Sequence, residues 1–198
     1  MTSEADVVPG RGGGRGRGQA DAPGAGDHGA MSSPAGPQRQ PREADQIKVW
    51  FRLAPREDGP LPYETEGLWA TRLGPDTARV DNVPFLRDGV AEGETVRFWT
   101  DGDGVHWAGE RVADSGNCTV RVLPVPDGPL GRDARAVHER LAGFGLTGEV
   151  FSADFPLVAL TVPGGADLRG VKALLTRGRD EGWWHFEVSC VTDAWRAA

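Results

Sequence analysis

From residue 47 onward, apolar and polar positions alternate with a period of two, and that period gives way twice to a helical one. Residues 48–53 read as a strand, residues 63–73 as a second extended segment after a turn-rich connection, and residues 77–81 as a third after the turn at Gly74, Pro75 and Asp76. In residues 94–100, Val96 and Phe98 take one face while Thr95, Arg97 and Trp99 take the other. Asp101-Gly102-Asp103-Gly104 then turns the chain back into residues 105–112, a hairpin signal of the Asp-Gly type. About five short strands at this spacing predict a small antiparallel barrel or curled sheet.

Residues 115–124 are the hinge of the chain. Cys118, Val120 and Val122 face one way and Thr119, Arg121 and Leu123 the other, which predicts a strand with one buried side, opened by Ser115-Gly116-Asn117 and stopped by Pro124 and Pro126. Beyond it, residues 129–143 carry Leu130, Ala134, Val137 and Leu141 at helical spacing and end at Gly143. Residues 147–151 and 157–162 are strands. Asp167 N-caps a second helix with Leu168, Val171, Leu174 and Leu175 inward and Gly182 beyond its end, and residues 183–190 are the closing strand.

The expected fold class is α+β. The order from the hinge is β-α-β-β-α-β, a ferredoxin-like half in which two helices cover one face of a four-stranded antiparallel sheet. Three units follow: a disordered Gly/Pro/Arg-rich tail over 1–45, a β-barrel-like half over 46–114 and a ferredoxin-like half over 115–198. The tail holds ten Gly, five Pro and no aromatic residue, too little apolar area to offset the entropy of ordering it. Within it Gly10 to Gly18 is an Arg-Gly tract with Arg11, Arg15 and Arg17, open to reading as an RNA-touching segment, a solvated tail, or a stretch ahead of a start at Met31.

Charge narrows the partners. A formal net charge of −7 disfavours nucleic acid, whose binding depends on Lys and Arg displacing counterions. Only Lys48 and Lys172 are lysines, a bias that suggests a high-GC bacterial gene. The acidic start is unlike a secretory signal and the longest strongly apolar run, 157–162, is far too short for a bilayer, so the expectation is a cytoplasmic protein with reduced cysteines.

No nucleophile elbow, zinc-binding His-Glu-x-x-His or phosphate loop occurs. Asp101-Gly102-Asp103-Gly104 is a turn and not a calcium loop, because Val105 and Val112 stand where oxygen ligands are needed. No cofactor or metal is implied. The seven tryptophans read as core and edge cover. If the closing strand lies antiparallel beside the hinge strand, Cys118 comes opposite Cys190, either as a redox pair or as two buried thiols. The other sheet face then presents Thr119, Arg121, Thr161, His185 and Glu187. Arg121 suits a carboxylate or phosphate, or an ion pair with Glu187 where the face packs on the barrel; His185 with Glu187 is the weak candidate for acid–base work.

Val49-Trp50-Phe51-Arg52-Leu53, Glu66-Gly67-Leu68-Trp69-Ala70, Asp81-Asn82-Val83-Pro84-Phe85, Gly89 to Gly93, Ser115 to Arg121 and Glu187-Val188-Ser189-Cys190 together resemble the bacterial family catalogued as domain of unknown function 4265, over about residues 47–191. The resemblance implies no established activity. It points to Asp81, Asn82, Arg121 and Cys190 as positions fitting the family's pattern, while Cys118 stands where a serine-like residue is expected.

The functional expectation is a non-enzymatic binding or regulatory module that recognises a small ligand or a protein partner at the seam between the halves, through Arg121, Asp81, Asn82 and Thr119. The alternatives are a small hydrolase or transferase using His185 and Glu187, and an RNA-associated protein acting through the Arg-Gly tail.

Overall fold

The computed structural model describes residues 7–9, 45–54 and 63–198. The first half is a meander of β2 (Gln46–Arg52), β3 (Tyr63–Arg72), β4 (Thr77–Val80), β5 (Thr95–Thr100) and β6 (His106–Ala113). These five strands close into a barrel through β3–β4 and β2–β6 pairings. An odd number of strands that alternate in direction leaves like directions at the closure, and the β2–β6 pair is indeed parallel, with Trp50 beside Trp107. Val49, Phe51, Leu68, Ala70, Val96 and Phe98 fill the interior, with Val96 and Phe98 sharing a face as expected from the sequence.

The expected disordered tail lies outside the described residues except at Asp45 and at β1 (Val7–Pro9), which departs from that expectation. Because β4 is short and pairs only with residues 70–72 of β3, the edge at residues 63–66 is left open. β1 fills it antiparallel, with Val7 opposite Glu66 and Pro9 opposite Tyr63.

The second half is a four-stranded antiparallel sheet in the order β10-β7-β9-β8, where β7 is Cys118–Pro124, β8 Thr147–Val150, β9 Val158–Val162 and β10 Trp184–Cys190. Helices α1 (Ala134–Leu141) and α2 (Leu168–Asp180) cover one face, where Val137, Leu141, Val171 and Leu175 pack on Val120, Val122 and Leu160. Asp133 begins α1 by accepting the N–H groups of Arg135 and Ala136, so Pro129 precedes the helix rather than opening it. The chain leaves α1 through a tight turn closed by Gly145 in the left-handed region, two residues after the expected Gly143. Asp167 caps α2 as expected. A terminal helix, α3 (Asp193–Ala197), was not expected; Thr192 caps it, and it buries Trp195 in the helix-covered core.

The expectation that β7 has one buried side is corrected: Thr119 and Arg121 are as buried as Val120 and Val122. The 81–94 connection between β4 and β5 folds over that second face, and Val83 and Phe85 pack on Ala159 there. Among the described residues no helix is long and apolar enough to cross a membrane.

Candidate functional site

The seam is a set of polar braces. Asp81 and Asn82 anchor the start of the 81–94 connection to β3: the Thr71 hydroxyl donates to Asp81 at 2.7 Å, and the Trp69 N–H donates to the Asn82 side-chain oxygen at 2.8 Å. Glu66 has the inward parity of Leu68 and Ala70, so its carboxylate is buried. It accepts three successive backbone N–H groups, from Phe85 at 2.6 Å, Leu86 at 3.0 Å and Arg87 at 2.6 Å. Burial pushes its pKa up, and these three donors pull against that shift.

Arg121 rises from β7 into the same connection. It is 1% exposed. Its Nη1 donates to Asp88 at 2.7 Å and to Glu187 at 2.8 Å, and its Nη2 donates to the Arg87 carbonyl at 2.6 Å. Glu187 is its register partner across β7 and β10, so the cross-strand ion pair forms. Thr119 donates to the Val90 carbonyl at 3.1 Å, and Thr161 to Glu92 at 2.6 Å. The four residues expected at a ligand seam are thus bonded within the chain. Of the weak catalytic candidates, Glu187 serves Arg121 while His185 stands exposed two residues away on β10.

The cysteine pair needs correction. An extra residue, Ser189, is inserted in β10 between Val188 opposite Val120 and Cys190 opposite Thr119. The bulge reverses the parity of Cys190, whose thiol donates to Glu94 at 3.7 Å on the barrel side. Cys118 stays in the helix-covered core beside the Thr192 hydroxyl, and both thiols are free. Burial and the neighbouring Glu94 push the Cys190 thiol up to about 12. Among the described residues no three His, Cys, Asp or Glu side chains gather as a metal site.

Sequence reasoning missed a feature on the outer wall of the barrel. Four of the seven tryptophans stand there, and the reading of tryptophan as core and edge cover does not describe them. Trp50 on β2 neighbours Trp107 on β6, which neighbours Trp99 on β5, while Trp69 lies on β3 opposite Lys48. Trp69 is 42% and Trp99 51% exposed. Lys48 Nζ lies 4.4 Å from the Trp69 ring centre, and the Arg52 guanidinium 5.2 Å from that of Trp107. Asp101 accepts the Trp107 indole N–H at 2.7 Å, and this bond holds its carboxyl below the usual range. The signal was present in part, because Trp50, Trp69 and Trp99 sit at the polar parity of their strands, whereas neither parity of residues 105–113 is clearly polar around Trp107.

A closed five-stranded barrel joined through a buried polar seam to a helix-covered antiparallel sheet defines a mixed α+β protein, mostly sheet. The chain belongs to the family described as domain of unknown function (DUF4265), whose model matches residues 66–186. That match begins at Glu66 and ends one residue before Glu187, so it holds Glu66, Asp81, Asn82, Thr119 and Arg121 of the seam and leaves out Glu187 and β2. The fold resembles a crystal structure of a hypothetical protein from Neisseria gonorrhoeae, with a TM-score of 0.59 and 14% identity over 73% of this chain and 94% of that one. No curated protein matches.

Proposed function

We propose that the protein is a non-enzymatic binding module whose recognition surface is the outer wall of the barrel. The observation that carries this reading is the row of tryptophans on adjacent strands, two of them about half open to water. Trp and Arg are enriched among the residues that dominate binding energetics, and the rigid indole brings a large area at a low cost in ordering. The bonding of Arg121, Asp81, Asn82 and Thr119 within the chain supports a bracing part for them, and moves recognition from the seam to the wall. The engagement of Glu187 with Arg121 speaks against the acid–base reading of His185 and Glu187.

The order β10-β7-β9-β8, with two crossing helices on one face, supports the ferredoxin-like reading of the second half. On the proposed reading this half is the scaffold. Its sheet holds the 81–94 connection, and that connection holds β3 and so the wall.

Hydroxyl-radical footprinting tests the proposal. In extract from the source cells, oxidation of Trp69 and Trp99 should fall relative to the purified chain, while oxidation of exposed Phe155, in the connection between β8 and β9, stays constant. Equal oxidation of the tryptophans in both conditions would sink it.

A further inference from the structure

Resting on that reading of the barrel wall, we infer that its occupant is an extended, proline-rich segment of another protein, docked as a polyproline II helix across the strands. Trp50, Trp107 and Trp99 are successive register partners on β2, β6 and β5, so they form a band that crosses the wall rather than following one strand. Trp50 stands opposite Gly67, and a Cβ built on that glycine would lie 3.1 Å from both Cε3 and Cη2, with no other ring atom nearer. Only a point over the middle of the six-membered ring meets that condition. The indole therefore lies on the sheet with one face down and the other turned outward. Trp99, 51% exposed, leans on Gly109, two residues beyond Trp107 on β6, with ring atoms at 3.6 and 3.9 Å from where its Cβ would be. Outward ring faces on a rigid sheet are what prolines dock against.

The dimensions agree. A polyproline II helix has three residues per turn and rises about 3.1 Å per residue, so prolines on one side of it recur roughly every 9 Å. Neighbouring strands lie about 4.8 Å apart, which puts Trp50 and Trp99, on strands either side of β6, about 9.6 Å from each other. Prolines one turn apart thus meet the first and last rings of the band.

Hydrogen bonding narrows the ligand further. Among the described residues the Trp107 indole N–H has a partner in Asp101, whereas those of Trp50, Trp69 and Trp99 have none. The charges around the band are committed within the chain. Lys48 and Arg52 lie against the Trp69 and Trp107 rings, Asp101 also accepts the N–H groups of Asp103 and Val105, and Glu110 pairs with Arg97. The surface therefore offers ring faces and N–H donors, and suits an uncharged ligand rich in acceptors. Polyproline II is such a ligand: it has no internal hydrogen bonds, so every carbonyl is available, and proline brings no N–H that would need an acceptor. It is also preformed, so docking costs little ordering entropy. A glycan has flat C–H faces too, but each hydroxyl is a donor as well as an acceptor, and the carboxylates bordering the band are taken.

The test is a fluorescence-anisotropy titration of the full chain with labelled decaproline, beside a labelled Gly-Ser peptide of equal length and labelled cellohexaose. Decaproline should bind saturably and the flexible peptide should not, and added salt should not weaken the binding, because no ion pair carries it. Trp99→Ala should weaken it by roughly tenfold, the loss expected of one aromatic anchor. Trp99→Phe, which keeps a ring face and loses the N–H, should fall between, and Phe155→Ala in the other half should change nothing. Because Trp99 is half-exposed, these variants should keep the wild-type melting temperature, which checks that they are folded. No saturable binding of decaproline, equal binding of the Gly-Ser peptide, or full binding by Trp99→Ala would each overturn the inference; binding of cellohexaose in place of decaproline would give the wall to a glycan and overturn it too. Footprinting separates this from the broader reading. Protection of Trp69 and Trp99 in extract without decaproline binding keeps the wall as a recognition surface and overturns its proline-rich occupant, whereas neither protection nor binding removes both.

Discussion

Cys190 stands opposite Thr119 and not opposite Cys118, because Ser189 is an extra residue in β10. The two thiols therefore point to opposite faces of the sheet, one toward Glu94 and one into the helix-covered core.

Both thiols should be inert in the folded protein. Thiolate is the reactive form, and the Cys190 thiol is pushed up to about 12 by burial and by Glu94. In mildly alkaline buffer a thiol reagent should label neither cysteine until denaturant is added, and mild oxidant should leave the intact mass without an internal disulfide. Fast labelling of the native protein, or a disulfide in the oxidised one, would show that the bulge does not hold the thiols apart.

Arg121→Ala should destabilise the fold by about 3 kcal/mol, the low end of the range for breaking a buried ion pair, since the acids left behind reach water. The exposures of Asp88 and Glu187, 61% and 42% of their side chains, justify the low end. The urea midpoint measures it. A loss below about 1 kcal/mol, the scale of an exposed pair, would mean that the seam is not braced by this residue.

Gly178 makes a sharper case, because propensity and packing predict opposite signs there. Gly178 lies in the last turn of α2, and replacing a helical glycine by alanine ordinarily stabilises by up to about 1 kcal/mol. In α2, a Cβ at position 178 would fall within the ring of Trp184, which is fully buried and donates its indole N–H to the Leu175 carbonyl at 3.0 Å. Gly178→Ala should therefore destabilise by roughly 1–3 kcal/mol through overpacking. A rise in melting temperature would refute this account of the Trp184 site.

Much of the architecture was legible in the sequence because burial writes itself as parity. Val49 with Phe51, Leu68 with Ala70, and Val96 with Phe98 mark the barrel interior, and Asp167 with Gly182 marks the second helix. The same parity would have exposed two features that were passed over: Glu66 as an inward acid, and Trp50, Trp69 and Trp99 as outward rings. Nothing local announced β1 or α3, whose reasons for forming are an open edge on β3 and a core that Trp195 completes.

By itself the chain determined the strands of its two halves, its two longer helices with their apolar faces, and the family resemblance, since these depend on residues close in sequence. The tertiary structure alone decided the rest. A single inserted residue at Ser189 turned Cys190 from one sheet face to the other, and no property of Cys190 or its neighbours encodes the pairing register. The closure of β2 on β6 put Trp50 beside Trp107, and the folding of 81–94 over β7 made Arg121 an internal brace. Each of these is a long-range contact, whose partner is chosen by how whole elements pack.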